Sequence, residues 1–400
     1  MWPYQQSGAS EKDRTISTDK LIRKLIAFDT TSRESNLELI NFIREYLDDL
    51  GISSQLVHDD TKQKANLYAT LGPLDRPGIM LSGHTDVVPV DGQDWNSNPF
   101  TLVEKNGRLY GRGTCDMKSF VAVALAYAPK FLERGLETPI HLAFSYDEEI
   151  GCIGVRRLID VINGMAIKPK LCIVGEPTDM RVVVAHKGKT SYHCTVHGFE
   201  AHSSLAPHGV NAIEFAAELI AYIKIMARRI AKEGPFDPLF DVPHTTLHTG
   251  IVNGGTALNI VPKECYLEFE VRYLPDQRAE TYLDEIEAFI RDTLEPEMKL
   301  ISNAAGFEIT VKSTMPGLNM DPGDDAVNFV KALAGQNDHA KVAFGTEAGL
   351  FQQSAGVPTV VCGPGSINQA HKPNEFIEMS QIVKCEAFMD RLMEQVCDIS

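Results

Sequence analysis

Acidic residues and histidines stand just after apolar runs or glycine-rich turns at several places in this chain. Carboxylate oxygens and imidazole nitrogens are donors that zinc accepts in proteins. In α/β sheets, ligands bind just beyond the carboxyl ends of the strands. Donors that follow strand-like runs therefore predict an active site that holds two metal ions. The residues concerned are His84, Asp86, Asp116, Glu148, Glu149, Glu176 and His371.

Two of these groups are ambiguous when each is taken alone. His84 and Asp86 are two residues apart, so they point the same way if a strand continues through them. Asp86 would then fix the tautomer of a metal-bound imidazole, but a histidine and an aspartate in a surface loop are the alternative. Glu148 and Glu149 are adjacent, so one could bind metal while the other faces the substrate. Two solvated surface acids are the alternative there.

The number of donors fits two ions if Asp116 bridges them. Each ion then receives three protein ligands, and a position stays open for water, as in catalytic zinc sites. The ligand sets are His84, Asp116 and Glu176 on one ion and Asp116, Glu149 and His371 on the other. Glu148 is left over and is the candidate general base. Cys115 is an alternative nucleophile, but nothing in the sequence activates its thiol.

Length, charge and cysteine spacing narrow the class of protein. The chain has 400 residues, enough for two domains or one domain with an insertion. Its formal net charge of −16 disfavours phosphate backbones, so we expect no nucleic-acid partner. No apolar run is long enough for a membrane span, and the amino terminus lacks the pattern of a secretory signal. Scattered cysteines without a C-x-x-C pair argue against a thiolate zinc site and indicate a cytoplasmic location.

The elements that must position these residues indicate an α/β fold. Near-continuous apolar runs separated by amphipathic helices predict a mixed, mostly parallel sheet that helices cover on both faces. The predicted strands are 65–71, 79–81, 140–145, 171–174 and 358–362, and the predicted helices are 36–50, 117–135, 325–333 and 381–396.

The character of the sequence changes after Ala185. A β-α-β-β-α-β order follows, with strands at 190–197, 245–252, 264–273 and 307–311 and helices at 211–231 and 277–294. This is the order of the ferredoxin-like unit, which folds as an independent small domain. We therefore predict a catalytic domain formed by residues 1–186 and 316–400. An inserted ferredoxin-like α+β lid and dimerisation domain would occupy residues 187–315.

Four segments of the chain resemble motifs of a known family. They are Gly-His-Thr-Asp-Val-Val-Pro at 83–89, Gly-Arg-Gly-Thr-Cys-Asp-Met-Lys at 111–118, Asp-Glu-Glu-Ile-Gly at 147–151 and Val-Gly-Glu-Pro-Thr at 174–178. They are similar to segments of the co-catalytic zinc peptidases and deacylases of the M20 family. The resemblance implies a zinc-dependent amidohydrolase with two Zn²⁺ per subunit, the ligands given above, and Asp86 and Glu148 as catalytic residues. It also implies a cis bond between Asp116 and Met117, while Co²⁺ or Mn²⁺ would accept the same ligands.

The predicted lid carries residues that the resemblance assigns to the substrate. Residues 198–204 are similar to a stretch in which a lid histidine reaches the partner subunit's active site and stabilises the tetrahedral oxyanion. This role falls on His202, which composition alone does not separate from the other histidines nearby. Asn259 and Arg272 match lid positions that grip the substrate's carboxylate, although an exposed strand arginine is the alternative for Arg272. The resemblance thus implies a homodimer formed through the lid.

The last third of the chain indicates a branch within the family. Its motifs at 345–349 and 363–371 resemble those of acetylornithine deacetylases more than those of desuccinylases. They add Gly365 and Glu347 to the expected substrate-binding residues; Glu347 could meet the substrate's ammonium or be an ordinary loop acid. The resemblance implies hydrolysis of N2-acetyl-L-ornithine in arginine biosynthesis. The alternatives are an M20 enzyme for another acyl-amino acid or dipeptide, and a non-catalytic metal-stabilised binding protein, which would need no base.

Overall fold

A computed structural model describes residues 16–398 of the chain. These residues form two compact units. The first unit comprises the residues up to Val184, Met320–Ala340 and the residues from Thr346 onward, and the second comprises Ala185–Asn319 and Lys341–Gly345. The second unit thus interrupts the first along the chain. None of the helices within residues 16–398 is both long and apolar enough to cross a membrane.

The helices and strands have the following bounds. In chain order the α-helices are α1 (Thr18–Ile26), α2 (Leu37–Asp49), α3 (Lys118–Arg134), α4 (Val155–Asn163), α5 (Ala212–Glu233), α6 (Ala279–Phe289), α7 (Glu295–Lys299), α8 (Asp325–Ala334), α9 (Ala348–Gln353) and α10 (Met379–Val396). The strands are β1 (Ser54–His58), β2 (Ala65–Leu71), β3 (Ile79–His84), β4 (Val103–Lys105), β5 (Arg108–Tyr110), β6 (Ile140–Ser145), β7 (Leu171–Pro177), β8 (Val183–His186), β9 (Gly188–His197), β10 (Thr246–Gly254), β11 (Glu264–Tyr273), β12 (Gly306–Met315), β13 (Leu318–Asn319), β14 (Ala340–Val342), β15 (Thr359–Gly363) and β16 (Phe376–Glu378). A 3₁₀ turn occupies Ser203–His208, and a π-helical turn, Ile290–Leu294, joins α6 to α7.

The first unit is built on a sheet with parallel strands at its centre. Counted from one edge, its first six strands have the order β1-β2-β6-β3-β7-β15, and β6, β3, β7 and β15 are parallel to their neighbours within that set. Strand β2 runs antiparallel to both β1 and β6. Every residue of β3, β6, β7 and β15 is buried, because helices cover both faces of such a sheet. The predicted mixed α/β sheet is therefore confirmed.

Helix α3 is the central crossover of the first unit. It packs against β2, β3 and β7 and against helices α1 and α10. Its residues from Lys118 to Ala128 are all buried, which is typical of a helix enclosed on every side. The helix begins directly after the glycine-rich segment that contains Asp116, so a rigid element follows this candidate ligand.

A small three-stranded sheet in the first unit is not predicted from the sequence. Its order is β16-β5-β4, and each strand has only 3 residues. Strands this short carry no measurable periodicity, so the sequence gives no signal for them. Phe376 pairs with Tyr110, and this register brings Glu375 next to the segment that leads to Asp116.

The second unit has the β-α-β-β-α-β order that the sequence predicts, with β9, α5, β10, β11, α6 and β12. Its antiparallel sheet has the order β10-β11-β9-β12. Buried residues alternate with less buried ones along β9 and β11. One face of this sheet therefore packs on a core shared with α5 and α6, while the other carries polar side chains.

Candidate metal centre

His84 ends strand β3 and lies among carboxylates. Its side chain is 1% exposed, and Nε2 lies 3.0 Å from Asp116 Oδ1 and 3.7 Å from Glu176 Oε1. Nδ1 lies 2.9 Å from the backbone carbonyl oxygen of Asp86; because a carbonyl only accepts, Nδ1 is the donor and Nε2 can ligate. Burial lowers the pKa of His84, but the carboxylates of Asp116 and Asp86 outweigh burial and hold that pKa well above its usual value.

Asp116 lies between the two histidines. Its Oδ1 is 3.0 Å from His84 Nε2, and its Oδ2 is 3.2 Å from His371 Nε2. Each oxygen of one carboxylate thus faces a different imidazole, which is the arrangement that a bridging ligand requires. Burial opposes ionisation, yet the imidazoles of His371 and His84 hold the pKa of the Asp116 carboxyl below its usual value. The Asp116–Met117 peptide bond is cis, as the resemblance implies.

His371 and Glu149 complete the second cluster. His371 Nε2 lies 3.0 Å from Glu149 Oε2, and the His371 side chain is 51% exposed, in contrast to buried His84. Hydrogen bonds to Asp116 and Glu149 raise the pKa of His371 to about 10. Burial and the charge of Asp116 raise the pKa of Glu149 to about 7. The cluster therefore concentrates acidic groups that a cation can neutralise.

Glu148 follows β6 and lies beside the ligand candidates. Ligand atoms of Glu148, His84 and Glu176 lie within 4.8 Å of one another, as do those of His84, Asp116 and Glu149. The thiol of Cys152 donates to Glu148 Oε1 over 3.2 Å. Burial raises the pKa of Glu148 well above its usual value. A carboxyl group this close to the candidate ligands can reach a water molecule at the metal centre, which is the position that a general base needs.

Asp86 has a different contact from the one expected. Its carboxylate Oδ1 lies 3.6 Å from His84 Nδ1, so the backbone carbonyl of Asp86, rather than the carboxylate, orients the imidazole. The carboxylate instead accepts hydrogen bonds from the backbone N–H groups of Glu148 and Glu149, over 3.1 and 3.2 Å, and from Ser32 Oγ over 2.7 Å. Asp86 therefore holds the turn that carries both adjacent carboxylates.

The distances between donor atoms fit zinc. Zinc bonds of about 2.1 Å in a tetrahedron place neighbouring donors about 3.4 Å apart. The contacts from His84 to Asp116 and Glu176 measure 3.0 and 3.7 Å, and those from His371 to Asp116 and Glu149 measure 3.2 and 3.0 Å. These spacings are compatible with two ions. The compact three-donor groups are His84, Asp116 and Glu149, and His84, Glu148 and Glu176, so the division of the ligands between the two ions stays a prediction.

Glu347 and Gly365, which were expected at the substrate, are both buried in the first unit. The Glu347 side chain is 1% exposed and accepts a hydrogen bond from the hydroxyl of Ser145, and burial raises its pKa to about 7. A Cβ at Gly365 would lie 2.7 Å from Cys115 Sγ, so a larger residue would collide there. His84 is equally buried, so burial does not test substrate contact, and the expected contact of Glu347 and Gly365 with the substrate stays a prediction.

The lid residues lie in the second unit. His202 is exposed and its Nδ1 accepts a hydrogen bond from the backbone N–H of Ser204 over 3.2 Å. Asn259 is also exposed, and its carbonyl accepts from the N–H of Ser203 over 3.0 Å, so these two candidates belong to adjacent segments. Arg272 on β11 is 36% exposed and its Nε donates to Glu270 over 2.8 Å. The structure thus brings His202 and Asn259 together and places Arg272 on the polar face of the sheet.

Two buried residues near the candidate ligands are missed by the sequence reasoning. Arg112 and Glu375 form an ion pair of 2.6 Å in which both side chains are 1% exposed. Glu375 stands shortly after His371 and directly before an apolar pair, but a single acid without a repeated spacing gives no signal. Cys115, the alternative nucleophile, is buried and its thiol donates to the carbonyl of Ser366 over 3.2 Å; burial raises its pKa, which disfavours the thiolate.

Comparisons with known proteins agree with this geometry. The sequence profile of peptidase family M20/M25/M40 matches residues 80–395. An acetylornithine deacetylase from Proteus mirabilis is 35% identical over 385 residues, which cover 94% of this chain and 96% of that protein. An acetylornithine deacetylase from Aliivibrio fischeri is 34% identical over 371 residues, which cover 92% of this chain and 94% of that protein.

Solved structures show the same fold at lower identity. An M20 family metallo-carboxypeptidase from Sulfolobus solfataricus superposes with a TM-score of 0.74 at 18% identity, covering 95% of this chain and 99% of that one. A tripeptidase from Staphylococcus aureus gives a TM-score of 0.73 at 20% identity, with 94% and 97% covered. The YxeP protein of Bacillus subtilis, a dinuclear metal-binding peptidase, gives 0.65 at 16% identity, with 96% and 98% covered.

Proposed function

The chain belongs to peptidase family M20/M25/M40 and is a metal-dependent hydrolase, and we propose that its substrate is N2-acetyl-L-ornithine. The main support for a hydrolytic metal centre is the position of Asp116. Its two carboxylate oxygens lie 3.0 Å from His84 and 3.2 Å from His371. The choice of substrate is supported by deacetylases that resemble this chain over nearly their whole length. The products would be L-ornithine and acetate, which places the reaction in arginine biosynthesis.

In this proposal, different side chains of the first unit bind the metal ions, transfer the proton and position the base. Zinc ions, held by His84, Asp116 and Glu176 and by Asp116, Glu149 and His371, would acidify a water molecule and polarise the acetyl carbonyl. Glu148 takes the proton of the attacking water and returns it to the leaving amine. Asp86 keeps Glu148 in place through the hydrogen bonds to the N–H groups at the end of β6. Cobalt or manganese would accept the same donors.

The exposed residues of the second unit supply the contacts to substrate in this proposal. His202 uses Nδ1 for the bond to Ser204, so its Nε2 is the atom that would donate to the oxyanion of the tetrahedral state. Arg272 would bind the substrate's α-carboxylate through its guanidinium. Asn259 is adjacent to the segment of His202 and would bind the same end of the substrate.

A homodimer formed through the second unit is the second part of the proposal. Edge strand β10 exposes Ile251 by 43% and Val252 by 53%, and helix α5 exposes Ile225 by 60%. An edge strand with apolar side chains is a surface on which a second copy can pair. We propose no nucleic-acid or membrane partner. All eight cysteines are buried thiols, which is consistent with the cytoplasm.

A substrate panel tests the assignment. Zinc-loaded enzyme is assayed with N2-acetyl-L-ornithine, succinyl-diaminopimelate, other acetylated amino acids, dipeptides and tripeptides. We expect kcat/KM to be highest for acetylornithine. A higher value for a dipeptide or tripeptide would replace the proposal with a peptidase, which the solved structures of similar fold make the main alternative. No turnover of any substrate by enzyme with full metal content would favour a binding protein, and Glu148→Gln is the control for contaminating activity.

Replacing the bridging carboxylate tests the metal centre itself. Asp116→Ala removes the oxygens that face both histidines, so we expect affinity for both ions to fall. Metal content after dialysis against a weak chelator gives the measurement, with the wild-type enzyme as reference. Loss of one ion with unchanged affinity for the other would reject the bridging role.

A further inference from the structure

One carboxylate, Glu375, accepts hydrogen bonds from three of the six main-chain N–H groups of residues 111–116, the segment that presents Asp116, and from the side chain of Arg112. Its Oε1 accepts from the backbone N–H groups of Cys115 and Asp116, over 2.8 and 3.1 Å. Its Oε2 accepts from the N–H of Gly113 over 3.0 Å and from Arg112 Nη1 over 2.6 Å. The Glu375 backbone carbonyl also accepts from the N–H of Gly111 over 3.0 Å. Both oxygens are therefore fully used, and all of these bonds fall on residues 111–116.

The segment 111–116 needs such a restraint. It contains glycines at 111 and 113, and Gly113 has a φ of +83°, a conformation in which glycine is adaptable and gains no rigidity from a side chain. The pairing of β5 with β16 aligns the start of this segment with Glu375. A glycine-rich segment thus becomes ordered by a residue far away in the sequence.

The same network reaches the loop of His371. Arg112 Nη2 donates to Gln93 Oε1 over 2.7 Å, and Gln93 Nε2 donates to the carbonyl of His371 over 3.3 Å. Asn374 Oδ1 accepts from the backbone N–H of Asn96 over 2.8 Å. The two loops that carry Asp116 and His371 are therefore joined through one buried ion pair and its neighbours.

The burial of this pair is informative. Arg112 and Glu375 are each 1% exposed, and a buried ion pair is favourable only when its remaining hydrogen-bonding capacity is filled. Here the carboxylate fills its own capacity with main-chain N–H groups of the segment that carries a metal ligand, whereas Arg112 Nε has no hydrogen-bond partner among the described residues. Outer groups that orient metal ligands change metal affinity by about 10–100-fold when they are replaced.

We propose that Glu375 is a positioning residue of the metal centre, which holds Asp116 between the two histidines and joins its segment to the His371 loop. The inference rests on the two-metal centre proposed above. Glu375 contacts neither substrate nor the ions; it acts through Asp116 and His371. The glutamate is needed because an amide would turn its NH₂ group either toward Arg112 and Gly113 or toward the N–H groups of Cys115 and Asp116, which are donors as well.

The experiment compares Glu375→Gln and Glu375→Asp with wild-type enzyme. Affinity for each of two Co²⁺ ions is measured by chelator competition, and the visible absorption of the cobalt-loaded enzyme reports ligand geometry. We expect Glu375→Gln to weaken the ion bound by Asp116 and His371 by about 10–100-fold and to change the absorption. Glu375→Asp keeps the negative charge beside Arg112, but its shorter side chain cannot reach all of the main-chain N–H donors. We therefore expect a smaller loss of cobalt affinity than in Glu375→Gln.

Asp237→Asn is the matched control. It breaks a partly buried ion pair of 2.6 Å with Lys341 in the second unit, so we expect it to lower stability and leave both cobalt affinities and the absorption unchanged. Wild-type affinities and absorption in Glu375→Gln, with a lower Tm, would make Glu375 a residue of stability alone and overturn the proposal. If Glu375→Gln is insoluble, unchanged affinities in Glu375→Asp overturn it equally. Wild-type enzyme that binds no second ion would instead reject the two-metal centre.

Discussion

The two units present most of their candidate functional side chains in opposite ways, with His371 of the first unit, which is 51% exposed, as the exception. In the first unit His84 is 1% exposed and Asp116 is 7% exposed, and both are surrounded by hydrogen-bonding groups that the chain itself provides. In the second unit His202 and Asn259 are exposed, and Arg272 is 36% exposed. The difference teaches that most of the candidate ligands are held by a buried network in the first unit, while the lid residues proposed for the substrate are accessible to solvent in the second unit.

The largest expected effect is a loss of activity on replacing Glu148, and it tests the side chains of the first unit. Glu148→Gln keeps the shape of the side chain but removes the base, so we expect activity to fall by about 10²–10⁴-fold while both metals are retained. Activity and metal content are measured on the same preparation. If the variant has lost a metal ion, Glu148 belongs to the ligands, with which its distance to His84 and Glu176 is compatible.

The next largest effect is a fall in kcat on replacing His202, and it tests the exposed side chains of the second unit. His202→Ala removes the proposed oxyanion donor and leaves the buried ligands untouched, so we expect kcat to fall by about 10²–10³-fold with unchanged zinc content. Because the side chain is exposed, stability should change little. A variant with normal kcat would remove His202 from the chemistry.

Mixed subunits show whether His202 acts on its own subunit or on the partner. Exchange of His202→Ala subunits with Glu148→Gln subunits gives heterodimers that contain one site with both an intact base and an intact partner histidine. Activity should therefore partly return. A mixture that stays inactive despite demonstrated subunit exchange would contradict action across the interface.

The sequence predicts the elements whose pattern depends on local burial. Strands β2, β6 and β11 have the predicted ends, Ala65–Leu71, Ile140–Ser145 and Glu264–Tyr273. Strand β11 is marked by a strict alternation because it is buried on one face, and β2 and β6 are marked by mostly apolar runs because they are buried on two faces. The positions of His84 at the end of β3 and of Glu149 in the turn after β6 follow from the same pattern, which is why the sequence groups the candidate ligands.

What the sequence could not predict depends on contacts between distant parts of the chain. Glu375 bonds to Cys115 across a separation of 260 residues, and no spacing rule links the two. The Asp86 carboxylate accepts hydrogen bonds from the N–H groups of residues 148 and 149. This contact depends on the three-dimensional path of the chain and cannot be read from the sequence. The sequence leaves open whether Glu347 is an ordinary loop acid, and only the fold shows that its side chain is buried.

A buried histidine remote from the ligands isolates the effect of burial on stability. His141 is 7% exposed, its Nδ1 lies 2.9 Å from Thr70 Oγ1, and burial lowers its pKa to about 4. The unfolded chain, with a histidine pKa near 6.5, binds more protons between pH 6.5 and 4, so folding stability falls as the pH falls through this window. Relative to His141→Asn, the wild type should lose up to about 3 kcal/mol there. The free energy of unfolding is measured by urea unfolding at each pH. If it depended on pH in the same way in the wild type and in His141→Asn, the prediction would be wrong.

The smallest expected effect concerns an ion pair on the polar sheet face of the second unit. Lys312 Nζ lies 2.7 Å from Glu268 Oε2, with the two side chains 53% and 17% exposed. Because solvent screens the lysine and ordering its long side chain costs entropy, Lys312→Ala should lower the free energy of unfolding by about 0.2–1 kcal/mol. Zinc content and kcat should stay unchanged. The buried Arg112–Glu375 pair has nearly the same length, 2.6 Å. The two pairs therefore differ in burial rather than in the distance between their charged atoms. A loss for Lys312→Ala as large as that for Glu375→Gln, measured by urea unfolding of both variants, would show that burial is not what separates the two units.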